Sequence, residues 1–358
     1  MKILAPINSL KDVKGVIDAG ADEIFCGVLS HDWLQRYTNV ASLNRREWKA
    51  ANLSSFSELQ KIVEIAHDNN ILINLALNAL YTKKQYSLIF EQIEQFISAG
   101  VDALIVADLG LLLSLKKRKI DIGIHISTGG TTFNSQTAKF YEEFGISRII
   151  LPRHLQIQEI ERITKNCPGI KFEAFILNSG CKNIDGFCTF QHGVNEIIHP
   201  KAWDLPKRLN FDRHLLNIIR RLPPKLSRNI KAGVFGIDSA CLLNYDVSFD
   251  VAANVGKKTS KKILNNISSN FNLLSGVDAC GACRLSELKN AGIYAVKIVG
   301  RNYSTEKKIQ DTRFIKTVLT HIEEHNLTRN EFMVFTRNAF RQVYKMKCAH
   351  LCYYPDGM

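Results

Sequence analysis

Short β-branched runs alternate with longer amphipathic stretches along the first 177 residues of the chain. The short runs predict strands, and apolar side chains at helical spacing predict helices between them. Predicted helices include Phe56–Asn69, Lys84–Ala99, Asn134–Phe144 and Leu155–Asn166. The predicted strands are Ile3–Pro6, Glu23–Gly27, Ile71–Leu77, Ala103–Ala107, Ile122–Ser127, Arg148–Pro152 and Lys171–Leu177.

An eighth strand is predicted late in the sequence, over Ile293–Val299, and a long helix over Thr305–Glu324 follows it. Strands that alternate with helices favour parallel pairing through crossover connections. Eight such units favour closure, so we predict an α/β fold, a TIM-like (β/α)8 barrel. A doubly wound open sheet is the alternative, although no Gly-x-Gly-x-x-Gly motif follows the first strand.

The stretch between predicted strands seven and eight is too long for an ordinary βα loop. We therefore predict a barrel formed by residues 1–177 and 291–325, with a basic, cysteine-rich insertion over residues 178–290. Residues 326–358 are predicted to form a C-terminal extension. Because the insertion leaves the carboxyl end of strand seven, it emerges at the face where barrel enzymes build their active sites.

The composition is that of a globular protein, since 46% of the 358 residues are hydrophobic and 23% are charged. No apolar run reaches membrane length, and the first residues do not resemble a secretory signal. We therefore expect no membrane span and a cytoplasmic location.

Charge is distributed unevenly along the chain. Residues 1–150 carry 16 basic and 16 acidic side chains, so the net charge of +13 lies entirely in the later part. Such an excess suggests an anionic partner, and the basic residues within 201–231 are candidates for contacting RNA or another anionic substrate. A solvated basic helix is the alternative interpretation of the same residues.

The nine cysteines are concentrated in the later part of the chain, because only Cys26 precedes residue 167. In a reducing compartment, metal or cluster ligation explains such a count better than disulfides do. Two close pairs stand out, Cys280-x2-Cys283 and Cys348-x3-Cys352. An iron–sulfur cluster, a zinc site with Cys280 and Cys283 as one half, and unligated thiols all remain open from the residues alone.

Several polar side chains are predicted inside the barrel or at its carboxyl rim. Alternation along the fifth strand sends His125 toward the interior, as a proton donor, an anion ligand or a satisfied core histidine. Arg153 closes strand six and Arg301 follows strand eight, so both are predicted at the rim. Glu173 and Lys297 need partners if they are buried. We expect a Glu173 ion pair with Lys297 or Arg301, or a dicarboxylate site in which arginines bind carboxylates.

A series of short motifs runs through most of residues 1–303. They are Leu4–Pro6, Ala19–Asp22, Asn78, Gly100–Gly110, His125–Thr128, Asn134, Gly145–Arg148, Leu151–Arg153, Glu173–Phe175, Gly180–Cys181, Gly186–Cys188, Asp278–Cys280, Ala291–Ile293 and Lys297–Arg301. In order and spacing they resemble the collagenase-like U32 peptidase family, whose catalytic type is unknown.

The resemblance implies two kinds of activity. The family name implies a collagenase-like peptidase. Other members are iron–sulfur, oxygen-independent hydroxylases that act on tRNA, ribosomal RNA or ubiquinone precursors, or are partner subunits of such enzymes. These proteins hold a 4Fe–4S cluster on four cysteines, and some take the hydroxyl group from prephenate. A heterodimer with a related subunit is also implied.

The family's cluster ligands can be matched residue by residue. Cys181 and Cys188 match the first two cluster cysteines, and Cys280 matches the last. Cys241 is assigned provisionally as the third ligand, with Cys283 as its competitor. The resemblance also makes His125, Arg153, Glu173, Lys297 and Arg301 the catalytic candidates.

The sequence departs from the family pattern at three places. Gly129, His154 and Val299 stand where the family often has a glutamine and two glutamates. No His-Glu-x-x-His helix or Gly-x-Ser-x-Gly elbow is present to support hydrolysis. We therefore predict an iron–sulfur-dependent hydroxylase, or its partner subunit, acting on RNA or a small quinone-type substrate. The alternatives are a peptidase and a non-catalytic, cluster-stabilised binding subunit.

Overall fold

The computed structural model describes residues 1–36, 43–46, 51–181, 184–187, 279–346, 348 and 351–355. They belong to one compact unit that covers residues 1–188 and 277–358. Cys188, Cys241 and the basic residues within 201–231 lie outside the described part, as does most of the predicted insertion.

Eight parallel strands close into a ring, which confirms the predicted barrel. In chain order the described strands are β1 Lys2–Pro6, β2 Glu23–Cys26, β3 Leu72–Leu77, β4 Ala103–Val106, β5 Gly123–Ile126, β6 Arg148–Ile150, β7 Lys171–Leu177, β8 Ala279–Cys280, β9 Ala295–Ile298 and β10 Leu351–Cys352. The ring consists of β1 to β7 and β9, and β8 and β10 are two short strands beside it. Neighbours pair in sequence order from β1 to β7. β9 closes the ring because it pairs in parallel with both β7 and β1.

Helices follow most barrel strands. They are α1 Leu10–Asp18, α2 His31–Arg36, α3 Phe56–Asp68, α4 Tyr86–Ser98, α5 Leu109–Lys117, α6 Ser135–Glu142, α7 Ile157–Asn166, α8 Leu285–Asn290, α9 Thr305–Glu324 and α10 Arg329–Tyr344. Side-chain caps fix where several begin: the Asp108 carboxylate accepts the Leu111 N–H at 2.6 Å at the start of α5. Among the described helices, none combines the length and apolar character needed to cross a membrane.

Burial explains why the strands were recognisable in the sequence. All residues of β2, β4 and β6 are buried, and the same holds for β3 after its first residue. Strands of a parallel barrel are covered on both faces, so their sequences are nearly continuous runs of apolar residues. Cys26 at the end of β2 belongs to this packing, and burial raises the pKa of its thiol to about 12.

The end of the described chain returns to the barrel beside β7. β8 pairs antiparallel with β7, with Cys280 opposite Leu177, and β10 pairs in parallel with β8. The Tyr354 hydroxyl donates to the Phe175 carbonyl at 2.8 Å, and the Tyr353 hydroxyl donates to the Asn178 carbonyl. These two-residue strands carry no periodic signal, so sequence patterns did not predict them.

A buried ion pair joins α1 to α9 on the outside of the barrel. Lys308 Nζ lies 2.7 Å from Asp12 Oδ2, and both side chains are at most 1% exposed. The Thr305 hydroxyl donates to Asp12 Oδ1 at 2.6 Å, and the Asn8 N–H donates to Oδ2 at 2.9 Å. The Ser9 N–H also donates to Oδ2, at 3.2 Å. The carboxylate therefore has four donors, two from α9 and two from the backbone just before α1, and it depends on Lys308 for charge balance.

We predict that Lys308→Met lowers the free energy of unfolding by about 3–5 kcal/mol, because it leaves the Asp12 carboxylate buried without its cation. Urea titration followed by circular dichroism measures this loss. Lys165→Met is the matched control, since Lys165 and Glu161 form an exposed pair on α7 whose loss costs at most about 0.5 kcal/mol. Equal losses in the two variants would contradict the assigned role of Lys308.

Candidate functional site

Four charged side chains form a layer across the barrel interior. Arg148 on β6 donates two hydrogen bonds of 2.7 Å to Glu23 on β2 and a third of 3.1 Å to Glu173 on β7. Lys297 on β9 donates to the other Glu173 oxygen at 2.9 Å. Two cations and two anions thus balance inside the barrel. The predicted Glu173–Lys297 pair is present, and Arg148 extends it to β2.

His125 lies in the same interior, as the alternation along β5 predicted. Its side chain is buried, and its Nδ1 atom has no hydrogen-bond partner among the described residues. Burial, reinforced by the positive charge of Arg148, holds the pKa of His125 well below its ordinary value of 6.5, although Glu23 acts in the opposite direction. The imidazole is therefore neutral at physiological pH.

A cavity of about 120 Å³ opens above this layer, at the carboxyl ends of the strands. Asn78 follows β3, and Ser127 follows β5, where its hydroxyl accepts from the Asn78 amide at 3.2 Å. Lys297 lines the floor, and Arg153 and Arg301 line the rim. None of the described residues that line the cavity is acidic. His125 and Glu173 are not among its lining residues, and Glu173 is linked to the cavity through its ion pair with Lys297.

Arg153 is fixed from two sides. Its guanidinium lies 3.7 Å above the Phe175 ring, and Nη1 donates to Asp185 Oδ1 at 2.6 Å. The Arg153 N–H also donates to Asp185 Oδ2 at 2.9 Å. Burial acts to lower the pKa of Arg153, but Asp185 and Tyr353 outweigh it and raise the pKa above the ordinary value. Asp185 thus links the segment after Cys181 to the rim.

Arg301 is positioned by two amides. Its Nη2 donates to Asn44 Oδ1 at 2.8 Å, and its Nη1 donates to Asn52 Oδ1 at 3.4 Å. Gly27 makes room for this arrangement, because a Cβ atom there would lie only 2.2 Å from Arg301 Nη1. Arg301 is therefore held in place at the rim, where it lines the cavity.

Thiols gather where β7 ends. Cys181 lies four residues beyond β7, and Cys280 faces the last residue of β7 across an antiparallel pairing. Cys283 follows in a short 3-10 turn over Ala282–Arg284. Cys188 and Cys241, the other predicted ligands, lie outside the described residues. Among the residues that are described, no three His, Cys, Asp or Glu side chains are placed to enclose a metal ion.

Sequence patterns missed several residues of this site. Glu23 and Arg148 begin their strands, and nothing in the pattern shows that a buried ion pair joins positions 125 residues apart. Asp185 lies in a loop whose path the periodicity does not predict. The one sequence signal for these residues was a charged side chain at a strand position that is otherwise apolar. Such a side chain is buried only when it is paired with another polar group.

Sequence comparison places the chain among proteins with different assigned activities. Over 194 residues it is 32% identical to an uncharacterized protease of Methanocaldococcus jannaschii, covering 52% of this chain and 43% of that protein. It is 26% identical over 195 residues to tRNA hydroxylation protein P of Escherichia coli, covering 54% and 40%. It is 24% identical over 197 residues to a collagenase of Porphyromonas gingivalis, covering 52% and 44%. The chain therefore spans less than half the length of these relatives.

A solved U32 peptidase shares 17% identity and a TM-score of 0.39, over 49% of this chain and 69% of that one. This likeness is too weak to support an argument about function. The sequence profile of peptidase family U32, by contrast, matches residues 8–198 and 234–356, which is most of the chain. The protein belongs to peptidase family U32.

Proposed function

We propose that the protein takes part in an oxygen-independent hydroxylation of tRNA, and that it does so with a 4Fe–4S cluster. The observation that carries this proposal is the cationic cavity at the strand ends, which lies above a neutral, fully paired interior layer. The relatives named tRNA hydroxylation protein P supply the substrate class.

The donor set after β7 suits an iron–sulfur cluster. Cys280 faces the last residue of β7, Cys181 follows that strand by four residues along the chain, and cysteine thiolates are the usual ligands of such clusters. We assign Cys181, Cys188 and Cys280 as ligands, with Cys241 or Cys283 as the fourth. A bound cluster supplies one-electron transfer. Zinc is the lesser alternative for the same cysteines.

The cavity's own residues bind and orient an anion. Arg301 and Lys297 both line the cavity, and their positive charges, held in place by Asn44, Asn52 and Glu173, attract a carboxylate. Prephenate, a small dicarboxylate, fits this chemistry, and we propose it as the hydroxyl donor. We also propose that the basic residues within 201–231 contact the phosphates of the RNA substrate. The protein would do this either alone or in a heterodimer with a related subunit.

His125 and Glu173 act from below as positioning residues. Glu173 fixes Lys297 Nζ at 2.9 Å, so the ammonium group keeps its place under the bound anion. The neutral His125 adds no further positive charge to the layer that already holds Arg148 and Lys297. We propose that both residues arrange the charges around the cavity, and their predicted catalytic roles stay predictions.

One observation weighs against hydrolysis. Ser127 is a hydroxyl in the cavity, and the side chain that contacts it at 3.2 Å is the Asn78 amide. An amide cannot accept a proton as a general base, so this pair does not form an activated nucleophile. The geometry therefore favours anion binding over peptide cleavage.

Cluster content tests the cofactor. We expect protein purified without oxygen to contain iron and sulfide in equal amounts, and Cys181→Ser to lose most of both because a thiolate ligand is gone. Cys167→Ser is the matched control, since Cys167 is buried before the start of β7, and its thiol donates to the Ser135 carbonyl. Colourless wild-type protein with bound zinc in place of iron would contradict the assignment.

Activity is tested with anaerobic protein, tRNA and prephenate. We expect tRNA nucleosides that gain one oxygen atom, detected by mass spectrometry. Arg301→Gln should lower kcat/KM for prephenate about 10–100-fold, as expected for loss of a charged hydrogen bond. Arg118→Gln is the control, because Arg118 stacks on Phe90 at 3.9 Å away from the cavity. Gelatin cleavage with unmodified tRNA would favour the peptidase instead.

The pH dependence of stability tests the buried His125. Its pKa is lowered on folding, so the unfolded chain binds the proton more readily, and stability falls as the pH drops below about 6.5. Between pH 7.5 and 5.5, the wild type should lose about 1.4 kcal/mol more unfolding free energy than His125→Asn does. Urea titrations at both pH values measure this difference, and an equal loss in the two proteins would show that His125 is protonated alike when folded and unfolded.

A further inference from the structure

Two cysteine pairs that are far apart in the sequence meet on one edge of the sheet. Cys280 ends β8 and Cys283 lies in the 3-10 turn that follows it. Cys352 ends β10, and Cys348 precedes Cys352 by four positions in the sequence. Each pair has the short spacing that thiolate metal sites use for two neighbouring ligands.

Strand pairing brings the two pairs together. β10 lies parallel to β8, with Cys352 directly opposite Cys280, and the Tyr353 N–H donates to the Cys280 carbonyl at 3.2 Å. Neighbouring strands are about 4.8 Å apart, and opposed residues direct their side chains to the same face. The Tyr354 hydrogen bond to the Phe175 carbonyl at 2.8 Å fixes this edge to the barrel.

The thiols affect one another electrostatically. Burial raises the pKa of Cys280 to about 12, and the nearby thiols of Cys283, Cys348 and Cys352 contribute to the rise. Burial also raises the pKa of Cys283, with Cys348 and Cys352 adding to it and Arg337 on α10 opposing it. None of these four thiols forms a disulfide, so the group concentrates soft donors of the kind that zinc binds.

We propose that Cys283, Cys348 and Cys352 bind a zinc ion, with water in the fourth position. Tetrahedral coordination by thiolates and an exchangeable ligand is a stable arrangement for zinc. Cys348 and Cys352 are exposed, and a common centre with Cys283 requires their side chains to change rotamer, since the described thiols do not enclose an ion as they lie.

The inference also separates the two thiol groups. It places Cys283 in the zinc site, so Cys241 becomes the fourth ligand of the proposed cluster. This assignment of Cys241 rests on the proposed function. Cys280 stays with the cluster, although it lies beside the zinc ligands. A zinc ion here would join the 3-10 turn after β8 to the segment that carries β10.

Cobalt substitution tests the site. Full-length, reduced protein is stripped with a chelator and titrated with Co²⁺, and we expect thiolate-to-cobalt charge-transfer absorption with tetrahedral d–d bands at one equivalent, displaced by Zn²⁺. The double variant Cys348→Ser/Cys352→Ser should weaken cobalt binding at least about 100-fold. Cys167→Ser should bind cobalt as the wild type does. Circular dichroism confirms that each variant is folded.

Cys181→Ser distinguishes this site from the cluster, because it should lose iron and keep the zinc site. A second readout is alkylation: bound zinc should slow iodoacetamide modification of Cys348 and Cys352 but not of the double variant's remaining thiols. Unchanged cobalt affinity in the double variant would overturn the proposal. So would thiols that are modified equally fast with and without zinc.

Discussion

The ion network inside the barrel is the interaction on which the site depends. Arg148 bridges Glu23 and Glu173, and Glu173 in turn holds Lys297, so one chain of hydrogen bonds runs from β2 through β6 and β7 to β9. Each of these side chains is at most 7% exposed. Charges so far from water are tolerated only as a set, because removing one leaves its partner uncompensated.

This network also explains how the site is divided. The layer beneath the cavity is electrically balanced and rigid, whereas the rim above it presents arginines to whatever enters. Lys297 belongs to both levels: it is paired below with Glu173 and lines the cavity above. The position of Lys297 at the bottom of the cavity is thus set by an ion network that joins strands from opposite sides of the barrel.

The barrel itself was predictable from the sequence, since the β-branched runs that became β1 to β7 and β9 are buried on both faces and carry a strong apolar signal. The rim positions of Arg153 and Arg301 followed from strand ends. The ion-pair partners of the buried charged residues could not be predicted from the sequence, because Arg148 meets Glu23 only when the ring of strands closes.

The cysteines illustrate the same limit. Spacing identified Cys280 with Cys283 and Cys348 with Cys352 as pairs, but two-residue strands such as β8 and β10 are too short to leave a periodic trace. Their juxtaposition became visible only from the register that sets Cys352 against Cys280. The assignment of Cys188 and Cys241 still rests on the family resemblance.

Asp185 gives the mouth of the barrel an anion of its own. Its carboxylate is tethered beside Arg153 and engages both the guanidinium and the backbone N–H of that residue. A ligand carboxylate that approaches Arg153 must therefore compete with a carboxylate that the same chain already holds there, at an effective concentration in the millimolar range or above. Arg153 and Arg301 are consequently unequal, because an incoming anion must displace Asp185 from Arg153.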